Sequence, residues 1–481
     1  VNEQSIETLR ARIAGDFVVP GDPEWDEARR AWNLAVDQRP AAVALPESAE
    51  DVVEIVRFAR GHGLRVAPQS TGHNAGALAI EGDILLKTER MRAVSIDPAS
   101  RTARVGGGAL WAEVADAAAP HGLAGLAGSS PDVGVVGYSL GGGISWLGRR
   151  YGLAANSVTA VELVTADGRF LRVDAEHEPD LFWALRGGGG TFGVVTALEL
   201  RLYAVSEVYA GILFFPLDRG AEVLNAWREW VETVPDEVTS VGRFLQFPPI
   251  PVIPEPLRGK SFVVVEAVFL MDWYAASTIL QPLRALNPAM DTFTTMAVTE
   301  LKHLHMDPDR PVPGYGDGML LQELDAEAID AAVTVAGVNS RSPLLSVEIR
   351  HLGGALAEAR PGSGALAKLD AKFAMFAVGM TPTPESRTAV ELHVQAVKKA
   401  LARWDAGRTY LNFAETRLPG ASIWGGDAYA RLRRVKAKWD ANDVLRSNHP
   451  VAPAEQRRER VATRVRPPRV SAPSRSARPL P

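Results

Sequence analysis

Between about residue 41 and residue 203, short apolar runs alternate with stretches of helical period. Ser48 with Asp51 has the form of a capping box, and Val52, Val53, Val56 and Phe58 supply a helical stripe that ends near Gly63. Residues 64–68 read as a short strand feeding a polar turn, Gln69-Ser70-Thr71-Gly72-His73-Asn74. Residues 93–96 and 102–105, on either side of Asp97-Pro98-Ala99-Ser100, predict a hairpin, and residues 158–165 and 169–173 around Asp167-Gly168 predict a second. A helix with Leu110, Val114 and Ala117 on one face follows Gly106–Gly108. The pattern is an α+β layer arrangement, not a run of βαβ units. From about 206 to 403 the elements lengthen, with strands predicted at 262–270 and 344–352 and amphipathic helices at 221–234 and 386–402. Residues 453–481 hold six Pro and eight Arg with no apolar period, and disorder is expected there.

Composition narrows the class. The chain has 481 residues, 46% hydrophobic and 23% charged, the mix of a globular enzyme of two or three domains. Cysteine is absent, which excludes thiolate nucleophiles, thiolate metal sites, iron–sulfur clusters and a cysteinyl cofactor bond. The net charge is −5 although the last 29 residues carry +6, so the rest of the chain sits at −11, a poor match to nucleic acid. Neither a signal pattern nor an uncharged run long enough for a bilayer is present, so a cytoplasmic protein without a membrane partner is expected, and a start at Val1 is compatible with a removed leader.

Three glycine clusters, at 106–108, 141–143 and 187–190, offer backbone N–H groups to a phosphate or a flat ring. None fits the dinucleotide fingerprint of strand, glycine pattern, helix and acid. On the predicted 344–352 strand, Leu345, Val347 and Ile349 alternate with Ser346, Glu348 and Arg350, one face apolar and the other polar. His303 and His305 would share a face of a strand, but Asp307 is the one further ligand nearby; a solvated face and no metal are expected.

The segment Arg65 to Asn74 resembles the "RxxxGGH(S/N)" loop of the vanillyl-alcohol-oxidase / berberine-bridge-enzyme flavoproteins, in which a histidine carries FAD through its 8α-methyl. Gly128-Ser129-Ser130-Pro131-Asp132-Val133-Gly134 through Gly143 is similar to the second flavin motif of that family, and Arg149-Arg150-Tyr151-Gly152-Leu153 to its "SRxYGL". Asp180-Leu181-Phe182-Trp183-Ala184-Leu185-Arg186-Gly187 looks like its "DLFWALRGGG". Tyr410-Leu411-Asn412-Phe413 and Trp439 to Asn448 resemble its C-terminal "YxNY" and "DPxNvFRxN".

The resemblance implies an α+β protein: a PCMH-type two-part FAD-binding domain with an inserted substrate domain of antiparallel sheet and helices. The segments would be an N-terminal helical stretch at 1–39, the FAD domain at 40–205, the substrate domain at 206–405, a berberine-bridge-like segment at 406–452 completing the FAD domain, and the basic tail at 453–481. It implies a single covalent link through His73, since Ser130 stands where bicovalent members have cysteine. Gln69, Ser70, Thr71, Gly72 and Asn74 would hold FAD with Ser130, Val133, Gly137, Gly141, Gly142, Gly143, Val195, Tyr410, Asn412 and Asn448.

Val133 is expected to admit O₂, since oxidases of the family favour a small residue there. Phe413 replaces the tyrosine that serves alcohol-oxidising members as base, and a phenyl ring has no proton to exchange. Glu348 and Tyr410 are the candidate bases, the first with a surface Glu348–Arg350 pair as its alternative and the second with a flavin-packing role. The expected activity is an FAD-dependent oxidase taking hydride from a small amine or activated C–H or alcohol substrate, with O₂ giving H₂O₂. The alternatives are a sugar or secondary-metabolite alcohol oxidase with Glu348 as base, and a flavin-binding protein without turnover.

Overall fold

The computed structural model describes residues 2–251 and 253–455. Its first sheet has four strands in the spatial order Asp16–Val18, Ala42–Leu45, Ile84–Lys87, Val66–Gln69. Ala42–Leu45 and Val66–Gln69 both run parallel to Ile84–Lys87, joined by the helix Ala49–Gly61, whose N-cap Ser48 accepts the Asp51 N–H. This is one βαβ crossover within the expected α+β arrangement, not a run of them. Every residue of Ala42–Leu45 and Ile84–Lys87 is buried, so these strands show no polar alternation by which to be recognised. The N-terminal segment also departs from a purely helical one: its helix Glu3–Arg10 is followed by the strand Asp16–Val18, paired antiparallel with Ala42–Leu45.

A five-stranded antiparallel sheet comes next, in the order Val94–Asp97, Thr102–Gly106, Val194–Arg201, Val158–Val164, Phe170–Asp174. Its two ends are the two predicted hairpins. The helix Trp111–Ala118 buries Val114 as expected, but with Trp111 and Ala118 in place of Leu110 and Ala117.

The middle of the chain forms a large antiparallel sheet whose consecutive strands include Glu207–Pro216, Ser261–Phe269, Val238–Gln246, Ser346–His351, Phe373–Met380 and Gly314–Leu321. The helices Gly220–Val231, Trp273–Arg284, Ala326–Ala336 and Pro384–Ala400 contribute to one core with this sheet, and Val347 and Ile349 point into it. Alternation turns Ser346, Glu348 and Arg350 to the opposite face. Arg149, buried in the short helix Gly148–Tyr151, ties this sheet to the first half by donating to the carbonyls of Val238 (2.7 Å) and Leu352.

The C-terminal helix Gly426–Trp439 carries Lys436, fully buried against Asp440 at 2.6 Å. Beyond it, the Val66 N–H donates to Val444 O and the Arg446 N–H to Val66 O, so this segment braces the strand leading to the polar turn. Residues 453–455 run beside Arg433, which donates to Pro453 O; the rest of the expected disordered tail lies outside the described residues. No helix among the described residues is long and apolar enough to cross a membrane.

Candidate functional site

A single cavity of about 810 Å³ reaches from the Gln69–Asn74 turn to the polar face of the large sheet, and both His73 and Glu348 line it. The His73 ring stacks on Trp32 with centroids 3.9 Å apart. Its Nδ1 lies 2.7 Å from Thr71 Oγ1 and its Nε2 lies 3.4 Å from Asp132 Oδ1. Asp132 also accepts from Trp32 Nε1 at 2.5 Å. Burial alone would raise the Asp132 carboxyl, but His73 and Trp32 outweigh it and hold it below its ordinary range. Trp32 and Asp132 are members of the site that motif reading passed over.

The other expected cofactor residues divide into those that face the cavity and those that shape it. Gln69 lines it, but exchanges amide hydrogen bonds with Gln38. Gly72 takes a left-handed φ of 85°, which the sharp turn requires. Asn74 donates to Ala414 O and leaves its Oδ1 unpartnered; Ser70 Oγ, Tyr138 OH and Ser447 Oγ are likewise buried in this wall without a partner. Val133, Gly137, Gly141, Val195, Asn412 and Asn448 line the cavity, and a Cβ on Gly137 would meet nothing within 4 Å.

Gly142 and Gly143, at φ 116° and 78°, do not line it. Substituents there would strike Leu366 and Tyr410, or Tyr138 and Ala154, so these two glycines make the turn. Ser130 Oγ donates to Asp307 Oδ2 at 2.6 Å, beside Ser129 Oγ at 2.9 Å. The Tyr410 hydroxyl accepts from the N–H groups of Gly143 (2.9 Å) and Ile144 (3.0 Å) and from Asn412 Nδ2 (3.0 Å). Burial pushes its pKa up further than these donors pull it down, so the phenol stays protonated and latches the glycine turn.

On the sheet side the cavity meets a buried ion network. Glu348 Oε1 accepts from Arg350 Nε at 2.7 Å, and its Oε2 lies 2.5 Å from His305 Nε2. His305 Nδ1 lies 2.5 Å from Glu266 Oε2, and Glu266 Oε1 accepts from Arg243 Nη1 at 2.8 Å. Arg243 donates further to Ser346 Oγ and to the His305 carbonyl, both at 2.9 Å. A histidine with a carboxylate at each nitrogen carries a proton on both. Burial and Arg243 lower the His305 pKa, yet Glu266, Asp307 and Glu348 raise it to about 9. Burial would raise the Glu348 carboxyl; Arg350 and His305 overcome that and hold it well below the usual carboxylate range. Glu348 is thus a fixed negative charge in the cavity wall, neither on the sheet surface nor poised near neutral pH.

His305 corrects the expectation of a solvated pair on a strand. The helix Leu301–Leu304 contains His303, and His305 is its buried C-cap. The signal that could have found the network is a charged residue in the middle of an otherwise buried strand, as Arg243 and Glu266 are.

Two family descriptions match the chain: "FAD binding domain" over residues 40–174 and "Berberine and berberine like" over residues 409–452. The chain is 29% identical over 462 residues to the (R)-6-hydroxynicotine oxidase of Paenarthrobacter nicotinovorans, covering 92% of this chain and 97% of that protein. It is 26% identical over 468 residues to the xylooligosaccharide oxidase of Thermothelomyces thermophilus, covering 90% and 91%. Among solved structures, BBE-like 1 of Physcomitrella patens superposes with a TM-score of 0.82 at 20% identity over 94% of this chain and all of that one. The 6-hydroxy-D-nicotine oxidase of Arthrobacter nicotinovorans gives 0.79 at 26% identity, over 90% and 96%. The unpartnered polar atoms of the turn and the open space at Gly137 fit a polar cofactor such as FAD in this cavity.

Proposed function

We propose, from the FAD-binding match over residues 40–174 and the berberine-like match over residues 409–452, that this FAD-linked oxidoreductase is an oxidase of small, largely apolar amines or activated C–H compounds. Bound FAD would supply the hydride acceptor and pass electrons to O₂, yielding H₂O₂. His73 alone would bond it. With a proton on Nε2 toward Asp132, the Nδ1 lone pair accepts from the Thr71 hydroxyl and is the nitrogen left nucleophilic. Trp32 and Asp132 fix the ring, Tyr410 and Asn412 brace the glycine turn, and Val133 keeps the wall open enough for O₂.

The observation that carries the substrate reading is the composition of the sheet-side wall. Leu245, Phe376, Val378, Met380 and Phe413 present hydrocarbon there beside the Glu348–Arg350 pair, and a sugar lying along them would leave its hydroxyls on that side without partners. Oxidising an alcohol also requires its hydroxyl proton to leave. Phe413 cannot take it, and Glu348, held as a strongly stabilised anion, is a weak acceptor. An amine has no hydroxyl proton to lose and gives up hydride once it is neutral, which asks only for a weak acceptor of its ammonium proton. A screen of primary and secondary amines, benzylic alcohols and oligosaccharides, followed by H₂O₂ formation, tests the reading. Turnover confined to oligosaccharides would refute it, and anaerobic flavin that no compound reduces would favour a binding protein without turnover.

A further inference from the structure

A second carboxylate faces the cavity and stands outside the ion network. Glu415 lies two residues beyond Phe413, and its Oε2 accepts the Gly316 N–H at 3.1 Å. The neighbouring strand Gly314–Leu321 is bare at alternate positions: a Cβ on Gly316 would come within 2.5 Å of the Phe376 ring, and one on Gly318 within 2.8 Å of Phe413 Cβ. Phe376 and Phe413 occupy the room those glycines leave. Protein surrounds the carboxylate, yet Glu415 is only partly buried and lines the cavity.

Glu415 makes no ion pair with any described residue. The titratable groups packed about it are already engaged. Asp317 pairs with Lys398, Arg387 pairs with Glu391 and lies 4.3 Å over the Tyr315 ring, and His449 Nε2 donates to Ala414 O at 2.9 Å. Burial, reinforced by Asp317, raises the Glu415 pKa to about 8 against the pull of the Gly316 N–H and Arg387. An acid left this way without a charged partner has one natural complement, a cation brought by the ligand.

We propose that Glu415 anchors a protonated amino group of the substrate, whose apolar body lies along Phe376, Val378 and Met380. The proposal deepens the oxidase reading and rests on it only in taking this cavity as the substrate site. Pairing with the ammonium ion displaces the carboxyl proton, so binding of a cationic amine releases close to one proton at pH 7 and almost none above pH 9.

The test is calorimetry on the FAD-loaded protein with 2-phenylpropan-2-amine and its alcohol analogue 2-phenylpropan-2-ol. Neither has hydrogen on the carbon bearing the heteroatom, so neither can be oxidised. At pH 8 the amine is expected to bind about 30-fold tighter than the alcohol. From pH 8 down to pH 6 that preference should fall towards tenfold per pH unit, while alcohol binding stays level. Glu415→Gln, which can still accept from Gly316, should remove both the preference and its pH dependence and leave alcohol binding within about threefold. A wild-type protein with no amine preference, or with one independent of pH, overturns the proposal without recourse to any variant, as does a preference that survives in Glu415→Gln. Amine binding with no H₂O₂ from any oxidisable compound would instead overturn the oxidase reading and leave the anchor standing.

Discussion

Replacing His305 by Gln removes the cation held between two carboxylates, and the loss should be read in the pH dependence of stability. In the folded protein this imidazole titrates at about 9, against 6.5 when unperturbed. At about 1.4 kcal/mol per pH unit, that displacement is worth about 3 kcal/mol. Because the folded value is the raised one, the contribution is complete below pH 6.5, declines as pH climbs towards 9, and is gone above it. The displacement of Glu348 is not to be added: Arg350 supplies part of it, and the rest is the same contact seen from the other partner. At pH 6 His305→Gln should be less stable than wild type by about 3–5 kcal/mol, since Glu266 and Glu348 then flank an uncharged side chain. That gap should narrow by about 3 kcal/mol as the pH is taken to 10. Urea unfolding of both proteins at constant ionic strength, followed by tryptophan fluorescence at half-unit pH steps, measures it. A gap that stays constant across the range would show that His305 is neutral in the folded protein and would refute the imidazolium.

Acid-precipitated protein should stay yellow and fluoresce on a denaturing gel, and His73→Ala should release all of its flavin; a colourless wild-type pellet would rule out the covalent link. Tyr410→Phe strips the Gly143 and Ile144 N–H groups of their acceptor and should cost about 1–3 kcal/mol of stability, read as a lower unfolding midpoint. Its turnover per bound flavin should fall far less than the ~10²-fold expected for a lost base, and a drop of that size would make Tyr410 a proton carrier. Val133→Leu adds one methylene to the wall and should slow oxygen uptake at saturating substrate while leaving substrate affinity unchanged; equal uptake would remove Val133 from the oxygen path.

What could be read along the chain was local. The two hairpins, the turn from Gln69 to Asn74 and the polar edge of Ser346, Glu348 and Arg350 are each written in a few consecutive residues, and each is found in place. The ion network is not local. His305 meets carboxylates 39 residues before it and 43 after it, and nothing in its own neighbourhood announces either. Glu266 reads as an interruption of an apolar run, when a fully buried acid at the centre of a strand is a demand for a cation elsewhere. Tyr410 shows the converse limit: its motif places it at the site, but only the approach of the Gly143 and Ile144 N–H groups reveals that its hydroxyl is occupied.

Phe413 marks where these observations converge. Its ring packs on Phe376 at 4.8 Å and lies under the Arg350 guanidinium at 5.4 Å, so the position is filled by hydrocarbon and a cation where a phenol is absent. In the proposed oxidase proton exchange would then fall to other groups, and three acids lining the cavity have been driven apart by their surroundings. Glu348, between a guanidinium and an imidazolium, stays charged at any working pH. Tyr410, its hydroxyl surrounded by N–H donors and buried, stays neutral. Glu415, with one N–H and no partner charge, changes state at about 8, where a group must lie to exchange protons with an amine at working pH. An alcohol would need a strong acceptor next to the reacting carbon, whereas Phe413 exchanges no proton and Glu348 is held as an anion. An amine needs a counter-charge that can yield or accept its proton, and the wall keeps one. If the proposed amine oxidation holds, Phe413 in place of a phenol and the isolation of Glu415 are two aspects of a single preference for nitrogen over oxygen in the substrate.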